Sequence, residues 1–356
     1  MKKLWIAFVP LLFFCKKSDD PVAVVPTTTF PGGIFSATSS FNANLSSSEP
    51  FSNYESEYKA IRGIGARGAQ TAAPFGSLNP TGTSCDLATI SNPYFGLNKL
   101  AGYGYETIFL NIPIIAVSNR SMPADIATLN FSDPIVKARF RALIDAIKDQ
   151  INNQVKYISL GNEVDTYFST HTSEWAAYKS LVEDARTYLK SIKPNVIVGV
   201  TTTFDSATSK FVSQVKDLNA NMDAVMLTYY PISSGFIPRE PNTVSGDVVK
   251  MLDASGGKPL VLQEWGYPSS TSLGSSEAKQ AEFIYNSLVE LEKQGVNKFP
   301  FVSFFKYRDW NEGHVQAITG QKSGQAFFEF MSSLGMKKND GSSKAAFVVI
   351  QNWIKP

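Results

Sequence analysis

The sequence is short of the residue types on which most metal-bound and nucleophilic sites depend. Its 356 residues include two cysteines, Cys15 and Cys85, and two histidines, His171 and His314. No His/Cys/Asp cluster has metal-site spacing, so the common zinc and transition-metal motifs are excluded and no cofactor is expected. Cys85 has no motif tying a base to it, and it reads as a loop or helix-start residue rather than a nucleophile. Excess charge of one sign is also lacking. The 33 basic and 31 acidic residues nearly cancel, which argues against a nucleic-acid partner. Long hydrophobic runs are missing as well. Leu4 to Phe14 is apolar but spans only eleven residues, short of the roughly 20 that cross a bilayer as a helix. A Gly-rich phosphate loop is absent. Gly63 to Gly68 has partial spacing but precedes a strand, which argues against an open doubly wound sheet.

What is present is a core. Apolar residues make up 43% of the chain, with 25 Phe and 14 Tyr, enough for a sizeable interior and for surfaces on which sugars stack. The chain opens with Met1-Lys2-Lys3, then the apolar Leu4 to Phe14, then Cys15. This resembles a bacterial lipoprotein signal, in which the cysteine is lipidated and becomes the mature N-terminus. Phe14 stands where that signal type has a small residue, and an ordinary secretory signal with an incidental cysteine is the competing reading. Residues 16–31, rich in Pro, Thr and Asp, read as a tether. The resemblance implies a membrane anchor in the bacterial cell envelope, periplasmic or on the outer surface, and a monomer is the simplest expectation. With Cys15 lipidated, only Cys85 remains, and no intramolecular disulfide can form.

From Gly32 onward the pattern alternates. Strands are expected at Gly32–Thr38, Gly68–Pro74, Tyr105–Ile115, 156–160, Asn195–Val200, Asp223–Pro231, 259–263 and Phe299–Tyr307. Helices are expected at Phe51–Gly63, Asp86–Ala101, Pro134–Gln150, Ser173–Ile192, Thr208–Leu218, Val244–Leu252, Ser276–Gln294 and Ser323–Leu334. Asp133 is placed to cap the third, with Pro134 in its first turn. Eight strand–helix repeats imply a parallel sheet closed on itself, a single-domain α/β (β/α)8 TIM barrel over 32–356.

Two carboxylates end two of the strands. Tyr157 to Leu160 is a short buried strand that breaks at Gly161 and presents Asn162 and Glu163. Leu260 to Leu262 is another, followed by Gln263, Glu264, Trp265 and Gly266. Barrel active sites are built at strand C-termini, and a pair of carboxylates there is the arrangement that glycoside hydrolysis needs.

Asn-Glu after strand four, Glu after strand seven and eight alternating units together resemble the clan A retaining glycoside hydrolases. Leu227–Pro231 (LTYYP), Lys306–Trp310 (KYRDW) and Leu334–Ala346 are similar to that clan's strand six, strand eight and closing pattern, with Met336 and Ala345 departing from the last. The YYP and EWGYPSS pieces lean towards the endo-β-1,4-galactanase and endo-β-1,3-glucanase families, with a broader likeness to cellulases. The resemblance implies Glu163 as general acid/base, Glu264 as nucleophile and Asn162 as donor to the sugar 2-hydroxyl. The two carboxyl groups would then stand about 5 to 5.5 Å apart. It also implies a tyrosine hydrogen-bonded to Glu264. Adjacent strand residues point opposite ways, so only one of Tyr229 and Tyr230 faces the mouth. Tyr229 is favoured, because Tyr230-Pro231 begins the loop. Trp265 and Trp310 would offer flat faces to the sugar of a poly- or oligosaccharide substrate. Asp165, Asp205, Arg308, Asp309, His171 and His314 read as structural groups. The competing function is a non-catalytic carbohydrate-binding or scaffold lipoprotein on the same barrel.

Overall fold

The computed structural model describes residues 39–41, 51–78 and 85–354. The expected signal at 1–15 with Cys15, the tether at 16–31 and the strand at Gly32–Thr38 lie outside them. The first described strand, β1, is Ser39–Phe41, just past the expected one. The other barrel strands are β2 Gly68–Ala72, β3 Thr107–Asn111, β4 Val155–Ser159, β6 Val225–Tyr229, β7 Leu260–Trp265 and β8 Phe301–Phe304. β5 runs in two pieces, Ile197–Gly199 and Thr201–Thr203, broken at Val200. The first piece pairs with β4 and the second with β6. β1 pairs with both β2 and β8, and every ladder of the ring is parallel. The sheet is therefore closed, as the alternation predicts, and the open doubly wound alternative fails.

Its interior is packed. Phe109, Ala224, Met226, Val261 and Phe301 form a cluster inside the ring, with Phe109 and Phe301 stacked at 5.5 Å. Fully burying each large side chain of this kind contributes about 1.5 to 3 kcal/mol. Gly199 makes room for one of them, since a Cβ there would lie 2.8 Å from Met226. Alternate residues of the same strands point outward. Val225, Leu227 and Tyr229 join the larger core between sheet and helices.

The outer helices are α1 Phe51–Gly63, α2 Leu97–Gly102, α3 Pro134–Ile147, α4 Trp175–Ile192, α5 Val212–Leu218, α6 Val244–Ser255, α7 Glu277–Gln294 and α8 Ala345–Ile354. Asp133 caps α3 as its sequence predicts, accepting the Ile135 N–H at 2.8 Å. Two helices differ from expectation. The stretch from Asp86 turns repeatedly before α2 begins at Leu97. Asn92 Oδ1 accepts the N–H groups of Tyr94 and Phe95, a local turn that competes with a helix. A Cβ at Gly96 would meet the Asn92 backbone at 2.5 Å, so the chain folds back there. The expected last helix is the other correction. Only Ala326–Ser332 is helical, and it belongs to the long loop after β8. The helix that closes the barrel against α7 is α8.

The closing stretch before α8 is held by charge. The buried Lys344 ammonium meets Asp309 Oδ2 at 2.6 Å, and Asp309 Oδ1 accepts the Gly335 N–H at 2.7 Å. The KYRDW and closing motifs are thus two halves of one contact.

Candidate active site

β4 delivers Glu163 through a sharp turn. Gly161 is required there, because a Cβ would lie 2.4 Å from Val164 and 2.5 Å from the Tyr178 hydroxyl. Asn162 N–H donates to Ile115 O at 2.9 Å, which braces this turn on the loop after β3. Glu163 itself has φ 48° and ψ 45°, left-handed backbone that a non-glycine residue rarely takes. Among the described residues, three non-glycine residues have positive φ: Val117, Glu163 and Phe236. All three line one cavity of 360 Å³. Such conformations cost about 1 to 3 kcal/mol each and gather at functional sites.

β7 delivers Glu264 by a different device. Leu262 pairs with Leu227 and Glu264 with Thr228, so Gln263 is one residue too many in the ladder. This bulge breaks the alternation that follows Val261. Gln263 and Glu264 both reach the mouth, and Trp265 is thrown outward. The Trp265 side chain is fully buried behind the sheet and donates its indole N–H to Ser287 at 2.9 Å. The expected sugar contact from Trp265 therefore does not fit its position.

The tyrosines are resolved by the same parity. Ala224, Met226 and Thr228 face the ring interior, and Tyr230 continues that row. Tyr230 hydroxyl donates to Glu264 Oε2 at 2.6 Å. Tyr229 points the other way, fully buried, and donates to Asp247 Oδ2 at 2.9 Å. The preference for Tyr229 is corrected to Tyr230, because the inward row carries on one residue past the strand's last ladder pair.

Glu163 and Glu264 both line the 360 Å³ cavity. Thr228 hydroxyl donates to Glu163 Oε1 at 2.7 Å. Burial, then the charge of Glu264, pushes the Glu163 carboxyl up to about 8, against the Thr228 bond that lowers it. Burial also raises Glu264, but hydrogen bonds from Tyr230 and Gln263 pull it back. Both carboxyls are thus raised by burial, and Glu264 has donors from Tyr230 and Gln263 that favour its ionised form. Gln263 adds a second task. Its amide donates to Asn162 Oδ1, while Thr201 donates to Gln263 Oε1. Asn162 is thereby oriented with its own NH2 left to donate.

A second cavity, of 460 Å³, adjoins the first and shares Asn162, Glu264 and Phe305 with it. It carries Gln70, Thr71, Asn111 and Gln263 from strand ends, with Trp310 over it. Trp310 thus lines this cavity and also belongs to a buried apolar cluster. Its ring lies 3.2 Å from the buried Lys306 ammonium.

Thr228 and Gln263 are site residues that motif reading misses. Thr228 is recoverable from parity once Tyr230 is fixed, whereas nothing in the sequence marks the bulge. Most of the groups read as structural have partners within the fold. Asp165 accepts from Thr203 and Ser206, Arg308 pairs with Glu57 at 2.6 Å, and His171 stacks on Tyr167 at 4.0 Å. His314 packs edge-on against Trp310 at 4.9 Å. Asp205 alone of that set lines the first cavity. Cys85 packs against the main core. Among the described residues no group of three His, Cys, Asp or Glu side chains could hold a metal ion, and no helix is long and apolar enough to cross a membrane.

The chain is a (β/α)8 barrel with two carboxylates, on β4 and β7, at its C-terminal mouth. No protein-family model matches it, and no curated protein matches its sequence. Solved structures do resemble it. A GH5_18 protein from Streptomyces cattleya, in complex with Manb1-4GlcNAc, superposes with TM-score 0.69 at 14% identity, over 89% of this chain and 80% of that one. The exo-beta-1,4-mannosidase Op5Man5 from Opitutaceae bacterium strain TAV5 gives 0.68 at 14% identity, over 93% and 61%. Xylanase 10B from Thermotoga maritima gives 0.64 at 11% identity, over 90% and 95%. At these identities the likeness shows the barrel fold.

Proposed function

We propose that the protein is a retaining glycoside hydrolase acting on a β-linked glycoside. The observation that carries this is the pair of carboxyls that share one cavity, each with its own hydrogen-bond partners. Glu163 is raised by burial and by its neighbour's charge, and Glu264 is held by a tyrosine hydroxyl. In the first step Glu264 attacks the anomeric carbon and forms an ester, while Glu163 gives its proton to the glycosidic oxygen and the C1–O bond breaks. In the second step water attacks C1. Its proton passes to Glu163, and Glu264 is released as carboxylate. Asn162 donates to the 2-hydroxyl, a bond that strengthens as C1 becomes cationic. The solved neighbours, glycoside hydrolases by their names, support this reading.

The sugar is not assigned. The YYP and EWGYPSS motifs lean towards galactanases and endo-β-1,3-glucanases, while the solved neighbours include a mannosidase and a xylanase. A panel of p-nitrophenyl β-glycosides settles both sugar and mechanism. Glu264→Ala and Glu163→Ala are each expected to lose about 10⁴-fold or more in kcat, and azide is expected to rescue both, giving the β-glycosyl azide from Glu163→Ala and the α-glycosyl azide from Glu264→Ala. The first product should keep the β configuration by NMR. Full activity in either variant overturns the assignment, and glycan binding without cleavage by the wild type would favour the non-catalytic scaffold.

The proposal extends to location. Residues 1–15 would direct export, Cys15 would carry the lipid, and 16–31 would tether a monomeric barrel to the cell envelope. Radiolabelled palmitate should enter the wild type and not Cys15→Ser.

A further inference from the structure

We infer that the leaving group of this enzyme is an apolar alcohol, of the alkyl-chain kind, rather than a second sugar. The inference rests on the glycosidase reading above. The acid must stand beside the leaving oxygen, so the leaving group lies on the side of the cleft that Glu163 faces. Glu163 lines the 360 Å³ lobe and not the 460 Å³ lobe. The leaving group therefore enters the smaller lobe, and the sugar that is attacked enters the larger.

The two lobes are built for different chemistry. The larger one carries the amides of Gln70, Asn111 and Asn162, groups that can meet sugar hydroxyls. The smaller one is walled by Phe204, Ile232, Phe236, Phe327, Phe330 and Met331. None of these side chains can donate or accept a normal hydrogen bond. Its polar side chains belong mostly to the reacting centre, namely Asn162, Glu163, Thr228, Tyr230 and Glu264. Thr203 is already spent on Asp165 at 2.7 Å, which leaves Asp205 as the lobe's remaining charge. A sugar ring in this lobe would press its hydroxyls against Phe, Ile and Met. An alkyl chain carries no hydroxyls to be left unpaired there. The wall is also held at a cost: Val117 and Phe236 both adopt left-handed backbone to line it, and such conformations persist where the surroundings enforce them.

The test compares octyl β-glycosides with the matching β-1,4-linked disaccharides for mannose, glucose, galactose and xylose, using the full chain. For the sugar turned over, kcat/KM on the octyl glycoside should exceed that on the disaccharide by about tenfold or more. Phe236→Asn polarises the wall and keeps the local backbone, since asparagine accepts left-handed φ, while giving up the ring contacts with Phe327 and Phe330. Its loss on the octyl glycoside should exceed its loss on the glycosyl fluoride of the same sugar, which puts no chain in the lobe, by about tenfold. A disaccharide cleaved as fast as or faster than the octyl glycoside overturns the inference and leaves the glycosidase reading intact. Equal losses of Phe236→Asn on octyl glycoside and fluoride also overturn it. Turnover of no substrate by the wild type overturns the glycosidase reading and this inference with it.

Discussion

The two lobes of the cleft meet at Glu264 but are held by different means. The amide groups of the polar lobe come mainly from strand ends. Gln70 and Thr71 sit on β2, Asn111 ends β3, and Gln263 sits on β7, so a closed sheet fixes where each amide can point. The apolar lobe is built from loops. Phe204 follows β5, Ile232 and Phe236 follow β6, and Phe327, Phe330 and Met331 ride on the short helix in the loop after β8. Most of these loop residues gather in an apolar cluster with Leu273, Phe305, Trp310 and Leu334, apart from the main core. A wall of that kind depends on what anchors its loops. The anchor here is the buried Asp309–Lys344 pair, with Lys344 also donating to Ser269 and to the Ser333 carbonyl. The reacting centre thus draws its precision from the sheet, while the leaving-group side is a separate, more easily altered structure.

The sharpest way to break that contrast is to cut the anchor. Lys344→Met leaves Asp309 buried without its cation, and breaking such a pair costs about 3 to 5 kcal/mol. A urea titration should show that loss. Proteolysis should then cut first within 305–344 while the strand ends stay protected, and uniform cutting would mean that the two walls unfold as one.

A second comparison sets neighbouring tyrosines against each other. Tyr230→Phe removes the donor to Glu264 and should lower kcat by about 10²- to 10³-fold. Tyr229→Phe removes only the bond to Asp247, so it should cost about 1 kcal/mol of stability and leave kcat within about twofold. Equal kinetic effects would show that parity does not assign their roles.

The smallest effect is on pH dependence. Glu163 must be protonated to act as acid, so the rate should fall as pH rises through its pKa, raised to about 8 by burial and by Glu264. The Thr228 hydroxyl stabilises the ionised form. Thr228→Val should therefore raise that pKa and move the alkaline limb of kcat/KM to higher pH. For Glu264 the tyrosine bond favours the ionised form. Tyr230→Phe should move the acidic limb to higher pH as well. Limbs that stay in place in both variants would detach these carboxyls from the rate.

Much of the molecule is legible in its sequence. Asn162-Glu163 and Glu264 each stand at the end of a short apolar run, and eight alternating units are enough to place them at one end of a barrel. The reason is local: strand period, strand length and a helix-breaking glycine are properties of a few adjacent residues. Asp133 and Pro134 open α3 for the same reason. Sequence reading fails where a position depends on partners distant along the chain. The extra residue at Gln263 exists only relative to the β6 ladder, and it sends Trp265 behind the sheet. The inward row that selects Tyr230 is set by what fills the ring at Met226 and Thr228. The helix that closes the barrel is chosen by packing against α7, which the pattern at Ser323–Leu334 does not reveal. Sequence alone determined the barrel and its two carboxylates, because periodicity is written into each segment. Only tertiary structure decided which tyrosine holds Glu264, what Trp265 does and which side of the cleft is apolar. Register and loop packing are relations between segments, and no single segment carries them.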